Sequence, residues 1–244
     1  MKRGILCFVL AALFALPTLA AAEVHGVYIA PKFLLGIQDS GQLSRSNTRG
    51  PGNEQMFSQH SQAVFGGALA VGYNFAPKFN VPVRTEIEFA LRSGSSKSKD
   101  ASASYTDPVP WTDSATAKHK IQISTLFLNA YFDINTGTPF TPYLGGGLGM
   151  AFKYTEAKVD WTEDVPGFFT RSGSESKSKH DTTFAWNLGA GLAYAFTENI
   201  SADLGYRFVH TGHTELKAGA GADRMKLGSS PYIHEFYLGA RFTF

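Results

Sequence analysis

Ionisable residues recur in this chain at every second position, a spacing that places them on one side of an extended backbone. The densest run is Arg84, Glu86, Glu88 and Arg92. Asp203 with Arg207, and Glu235 with Arg241, repeat the pattern, while Lys32 and Lys153 stand among apolar and small neighbours. Charges confined to one enclosed face are costly unless paired. The expected chemistry is an internal polar network over Lys32, Arg84, Glu86, Glu88, Asp203, Arg207, Glu235 and Arg241, with the two glutamates bound to Arg84, Arg207 and Arg241. A second set, His119, His180, His210 and His213 with nearby serines, holds residue types found in acyl-transfer sites, which need a nucleophile, a base and a carboxylate to converge. No spacing motif joins them. No catalytic residue, cofactor or metal ligand set is expected.

Alternate positions of this kind are supplied by β-strands. Eight segments show the period: 27–37, 63–75, 83–92, 119–133, 141–154, 182–196, 200–211 and 232–244. In the last, one face reads Phe236, Leu238, Ala240, Phe242, Phe244, and the other Glu235, Tyr237, Gly239, Arg241, Thr243. In 63–75 the second face is Gly66, Ala68, Ala70 and Gly72, and 141–154 and 182–196 are similarly rich in glycine. A water-facing side would carry Lys, Glu, Thr and Ser, whereas glycine inside a strand marks crowding. The apolar face therefore looks outward to lipid, and the small and charged face fills a narrow interior. After residue 22 no apolar stretch is long enough for a membrane helix, so a spanning chain must close into a barrel. The predicted fold is all-β: an eight-stranded antiparallel up-and-down transmembrane β-barrel with a filled lumen. Segment 119–133 is irregular, because Ile121 and Ile123 are odd while Leu126, Leu128, Ala130 and Phe132 are even. Either a bulge near Ser124 or a position above the lipid accounts for the switch.

The connections alternate. Segments 38–62, 93–118, 155–181 and 212–231 are long and polar; 76–82, 134–140 and 197–199 are short. Long loops of such barrels are extracellular and short turns periplasmic, which puts both termini in the periplasm. Ser93-Gly94-Ser95-Ser96-Lys97-Ser98-Lys99 returns as Ser172-Gly173-Ser174-Glu175-Ser176-Lys177-Ser178-Lys179, and each of these two loops holds a Trp-Thr-acid step, at Trp111 and Trp161. Solvated loops explain this composition. A contact patch is the functional alternative: Lys97, Lys99, Lys177 and Lys179 would meet lipopolysaccharide or a host polyanion, and Trp111 and Trp161 would add apolar area.

The first residues, Met1-Lys2-Arg3, an apolar run over Ile5–Leu16 and Ala20-Ala21-Ala22, have the form of a secretory signal peptide over 1–22. Cleavage is expected between Ala22 and Glu23, leaving a barrel domain over 23–244. Cys7 is the single cysteine, so the remaining chain has neither a disulfide nor a thiolate metal site. Without Lys2 and Arg3 the basic and acidic residues balance, which gives no field for nucleic acid.

Three stretches carry a resemblance: Val81-Pro82-Val83-Arg84-Thr85-Glu86-Ile87-Glu88-Phe89; Leu128-Asn129-Ala130-Tyr131-Phe132-Asp133 with Thr141-Pro142-Tyr143-Leu144-Gly145-Gly146-Gly147-Leu148-Gly149; and Tyr237-Leu238-Gly239-Ala240-Arg241-Phe242-Thr243-Phe244. The chain resembles the opacity-type outer-membrane β-barrel families, the eight-stranded surface barrels related to the N-terminal domain of OmpA. The resemblance implies residence in the cell outer membrane and insertion by the barrel-assembly machinery. That machinery would read Tyr237, Leu238, Phe242 and Phe244. It also implies a role as adhesin, surface antigen or envelope-stabilising protein, with a small porin-like channel as the alternative and a lipid-modifying enzyme behind both. A peptidoglycan-binding domain like that of OmpA is not expected.

Overall fold

The computed structural model describes residues 26–39, 43–47, 55–57, 61–105, 111–166, 168–218 and 225–244. Ala22, Glu23 and the rest of the expected signal segment lie outside these described residues. In chain order the strands are β1 (Val27–Asp39), β2 (Leu43–Asn47), β3 (Gln55–Phe57), β4 (Ser61–Asn74), β5 (Val83–Arg92), β6 (Ser95–Tyr105), β7 (Trp111–Asp133), β8 (Phe140–Val165), β9 (Phe169–Ala195), β10 (Ile200–His210), β11 (Thr214–Ala218), β12 (Met225–Ser229) and β13 (Tyr232–Thr243). A one-turn helix, α1 (Ala76–Phe79), joins β4 to β5.

Strands β1, β4, β5, β7, β8, β9, β10 and β13 form an antiparallel meander that β1 and β13 close, with Tyr28 opposite Thr243. The fold is the expected all-β closed eight-stranded barrel. Its last residue is tied in: Phe244 N–H donates to Val27 O at 2.8 Å, and Gly26 N–H donates to Phe244 O at 3.0 Å. Alternation sets the two faces. Leu148 and Leu188 are 63% and 64% exposed on the outside, while Glu88 and Glu235 are 0% exposed within.

Turn chemistry gathers the short connections at the end that holds Gly26 and Phe244. Asn80 ends α1 in the left-handed region (φ 54°), where its N–H reaches Ala76 O. Asn135 Oδ1 accepts from Gly137 N–H at 2.9 Å, and Gly137 takes φ 66°. Thr197 Oγ1 accepts from Ile200 N–H at 3.0 Å. The last two are side-chain-to-backbone bonds that compete with strand pairing and so reverse the chain.

At the opposite end the structure departs from the sequence reading. Strands β7, β8 and β9 run for 23, 26 and 27 residues, where a tilted strand needs only about 9–11 to cross a membrane. With β6 they stand clear of the barrel as a four-stranded blade. Segments 93–118 and 155–181, read as polar loops, are therefore largely strand: backbone pairing extends a ladder already started in the barrel, and that pairing needs no apolar alternation. Strands β2, β3, β11 and β12 make a separate four-stranded sheet in the order β11-β12-β2-β3.

Of the two causes expected for the irregular segment, the register excludes the bulge. The β7–β8 ladder runs from Thr112 opposite Asp164 to Asp133 opposite Tyr143 with no shift of register. There is no bulge at Ser124. Ile123 and Phe127 face inward, buried with Val64, Ala151, Ala185, Val209 and Ile233, and Ile121 packs against this cluster. The odd apolar residues mark an internal plug rather than a change of face.

Candidate functional site

The lumen is filled in three tiers. Toward the short turns are four inward tyrosines, Tyr28, Tyr131, Tyr143 and Tyr237, with the Arg84–Asp133 and Arg241–Asp203 pairs among them. Each stands directly opposite a glycine on the adjacent strand: Gly72, Gly145, Gly191 and Gly205 respectively. A Cβ at any of these glycines would come within 2.2–2.4 Å of the ring it faces, so the rings lie against bare backbone. Tyr143 and Tyr237 share a hydroxyl hydrogen bond of 3.0 Å. The Arg84 guanidinium sits 5.0 Å from the centroids of both Tyr131 and Tyr143.

The middle tier is a chain of alternating charge. Lys32 Nζ donates to Glu86 Oε1 at 2.5 Å and to Glu88 Oε2 at 2.7 Å. Arg207 donates to Glu88 Oε1 at 2.6 Å and to Glu235 Oε2 at 2.7 Å. Arg92 binds both oxygens of Glu235, at 2.6 and 3.0 Å. Three cations thus meet three carboxylates. Glu86 also accepts from Tyr131 Oη at 2.8 Å, Tyr28 Oη at 3.2 Å and Asn129 Nδ2 at 3.2 Å, while Asn187 donates to Asn129 Oδ1 at 2.9 Å. The third tier, toward the blade, is the apolar plug.

The pairing differs from the one expected. Arg84 turns away from the glutamates to Asp133, at 2.7 Å, and Arg241 faces Asp203 at 3.7 Å. Lys32 takes their place because its position on β1, flanked by β4, leaves its long stem free to reach across to β5. Asp133, Asn129 and Arg92 were missing from the expected network. Their signal was available: they share the strand parity opposite Leu126, Leu128 and Phe132 on β7, or Leu91 on β5.

On the blade, register brings together residues far apart in sequence. One rung reads Lys97, His119, Ala157, Lys177; the next toward the membrane reads Ser95, Ile121, Thr155, Lys179. A rung farther out reads Ala101, Ala115, Trp161, Gly173. Positions 97, 99, 111, 161, 177 and 179 all have the same parity, the one that faces the lumen lower down. The opposite parity carries Lys118 opposite Lys158, and Lys158 bonds Asp160 at 2.7 Å. The hydrogen bond from Lys158, followed by that from Ser174, holds the half-buried Asp160 carboxyl below the ordinary carboxylate range.

The histidines are dispersed. His180 packs on Tyr154 at 4.9 Å, His210 stacks on Trp186 at 5.6 Å, and His213 Nδ1 lies 3.0 Å from Ser230 Oγ at the base of the β11–β12 hairpin. On the terminal strand Leu238 and Phe242 are on the outer surface and Tyr237 is inside.

A closed barrel that turns large apolar side chains outward and buries its charges is a transmembrane β-barrel, because only lipid tolerates such an exterior. The chain matches the outer membrane protein beta-barrel domain over residues 6–244 and belongs to that family, which places it in the outer membrane. It is 30% identical over 189 residues to outer membrane protein PagN of Salmonella typhimurium, covering 75% of this chain and 74% of the relative. A Rickettsia conorii protein, named for a proposed adhesin role, is 27% identical over 184 residues, with 75% and 68% covered. Among solved structures, neisserial surface protein A aligns with a TM-score of 0.44 at 16% identity, covering 90% of this chain and 99% of that one.

Proposed function

We propose that this protein is a surface adhesin whose blade binds an anionic glycan, carried on lipopolysaccharide or on a host cell. The observation that carries this reading is the common parity of positions 97, 99, 111, 161, 177 and 179. Four lysines and two tryptophans from two separate connections share one sheet face. Near the barrel these four lysine positions outnumber the carboxylates Glu175 and Asp181 of the same parity, the latter 3.8 Å from Lys179; such an excess of positive charge attracts polyanions and speeds their encounter, and the adhesin name of the Rickettsia relative agrees with it. In this reading residues 1–22 are cleaved after export, between Ala22 and Glu23. The barrel-assembly machinery reads Tyr237, Leu238, Phe242 and Phe244. The blade is then extracellular and both chain termini are periplasmic.

The test is binding of bacteria displaying the protein to immobilised sulfated dextran and to purified lipopolysaccharide. Replacing Lys97, Lys99, Lys177 and Lys179 together by glutamate is expected to lower retention at least tenfold, with unchanged surface display. Retention equal to that of the parent on both supports would overturn the reading.

A further inference from the structure

Two four-stranded sheets rise from this barrel, and the order of their strands shows where each stands. In the chain, β2 follows β1, β3 precedes β4, β11 follows β10 and β12 precedes β13. The upper sheet runs β11-β12-β2-β3, and one half of the barrel wall runs β10-β13-β1-β4. Each upper strand therefore stands over the barrel strand it is joined to. The blade continues the other half of the wall, as β9, β8 and β7 with β6 following β5. A cylinder continued in this way raises two half-walls that face each other across its mouth. Among the described residues no ladder joins β9 to β11 or β3 to β6. The space between the half-walls is a cleft open along two seams.

The apolar plug is its floor. There the halves are tied together: Lys153 on β8 donates to Gly212 O, in the connection from β10 to β11, at 3.0 Å. The basic positions of both halves begin a similar number of residues above this floor. Gln38 shares a rung with the plug residue Ile233, and β2 begins five residues later at Leu43. On β8 the rung of positions 97 and 177 falls at Ala157, six residues beyond the plug residue Ala151.

The lysine positions of the blade have the parity that faces the lumen, so they lie on the cleft side. In the upper sheet Lys217, Lys226 and Ser46 form one rung, and Glu215 has the parity of Lys217. Arg45 is on the adjacent rung with Leu216 and Leu227. Each face of that sheet thus carries one net positive charge among its described residues. A cleft with an excess of one charge focuses the field and gathers counter-charged solutes. We infer that this cleft takes a polyanionic glycan chain arriving from outside the cell, held between the blade and the upper sheet. Two open seams let a chain enter at any point along its length. Glycans of the surrounding lipid meet the other side of the blade. That side carries Lys118, Lys120 and Lys158 and has the parity of the lipid-facing Leu126, Leu128 and Leu148.

This inference rests on the glycan-binding reading, and the experiment separates the two. Bacteria displaying the protein are passed over immobilised sulfated dextran and over lipopolysaccharide lacking its O-polysaccharide. Replacing Arg45, Lys217 and Lys226 together by glutamine is expected to lower dextran retention at least fivefold and to leave lipopolysaccharide retention within twofold. Arg45→Lys with Lys217→Arg and Lys226→Arg, which keeps the charges, is expected to restore dextran retention. Lys118→Gln, Lys120→Gln and Lys158→Gln, an equal loss of charge on the outer side, is expected to change dextran retention by less than twofold. Surface display and the heat-modifiable mobility of the folded barrel are checked for every variant. Parent-like dextran retention in the first variant, or a loss as large in the charge-keeping or outer-side variant, overturns the cleft. An equal loss on both supports overturns the external origin of the chain. In either case the blade reading stands if the glutamate variant of Lys97, Lys99, Lys177 and Lys179 still loses retention. If that variant binds like the parent, the glycan reading falls and takes the cleft with it.

Discussion

Glu88 shows what a single side chain does in this lumen. It is fully buried and accepts from Lys32 on one oxygen and Arg207 on the other. Removing the charge leaves two cations facing one another across the gap. Breaking one member of a buried ion pair typically costs about 3–5 kcal/mol. Glu88→Gln keeps the shape and loses the charge, so it is expected to destabilise the barrel by about 3 kcal/mol in urea unfolding followed in lipid vesicles. A loss under about 0.5 kcal/mol, the range of an ordinary surface substitution, would show the network to be dispensable. Arg84 and Arg241 belong to separate pairs with Asp133 and Asp203, so a substitution at Glu88 and one at Asp133 are expected to act additively in the same assay.

At the level of strands, the recurring device is an aromatic ring opposite a glycine. It lets a narrow barrel hold four tyrosines without widening, and it explains why the inner face is rich in glycine although glycine weakens strands. Gly205 and Gly67 make a matched pair for testing it. A Cβ on Gly205 would lie 2.3 Å from the Tyr237 ring, whereas on Gly67 it would meet no atom nearer than Lys32 O at 3.7 Å. Gly205→Val is expected to cost at least about 2 kcal/mol, in the range of core overpacking. Gly67→Val, on the outer face, should be neutral or mildly stabilising, since a β-branched residue suits a strand. Equal losses at the two sites in parallel unfolding titrations would argue against the ring-on-glycine account. The long strands make a second point at this scale. The ladders of β7, β8 and β9 continue past the barrel without interruption, so the blade is carried by the same hydrogen bonds that form the wall.

For the whole molecule, the stacked tiers bear on transport. Tyrosines, a neutralised charge chain and an apolar plug occupy successive levels of the lumen. An apolar constriction resists wetting, and paired charges offer no vacant ion site. Purified protein in planar bilayers is expected to show no steady conductance. Replacing Ile123, Val209 and Ile233 together with alanine should also leave it silent, because the charged tier remains. A large, stable current from the parent protein would remove the closed-lumen account and revive the channel reading.

How much was legible in the residues follows from how local each cause is. The eight-strand barrel and its outward apolar face could be read from the order of side chains, because a period of two is enforced by strand geometry itself, and Phe236, Leu238 and Phe242 display it without help. The membership of the charged interior was mostly readable for the same reason. The partners were not: Lys32 meets Glu86 and Glu88, and Arg84 meets Asp133, because of how side chains reach across a closed tube. The plug disguised itself as a break in alternation at Ile121 and Ile123, since an inward apolar residue and an outward one look alike along the chain. Local order therefore determined the strands and their faces. Only tertiary structure decided the ion pairs, the three tiers, and the joining of Lys97, Lys177 and Trp161 on one face, because register across strands fixes distances that separation along the chain does not contain.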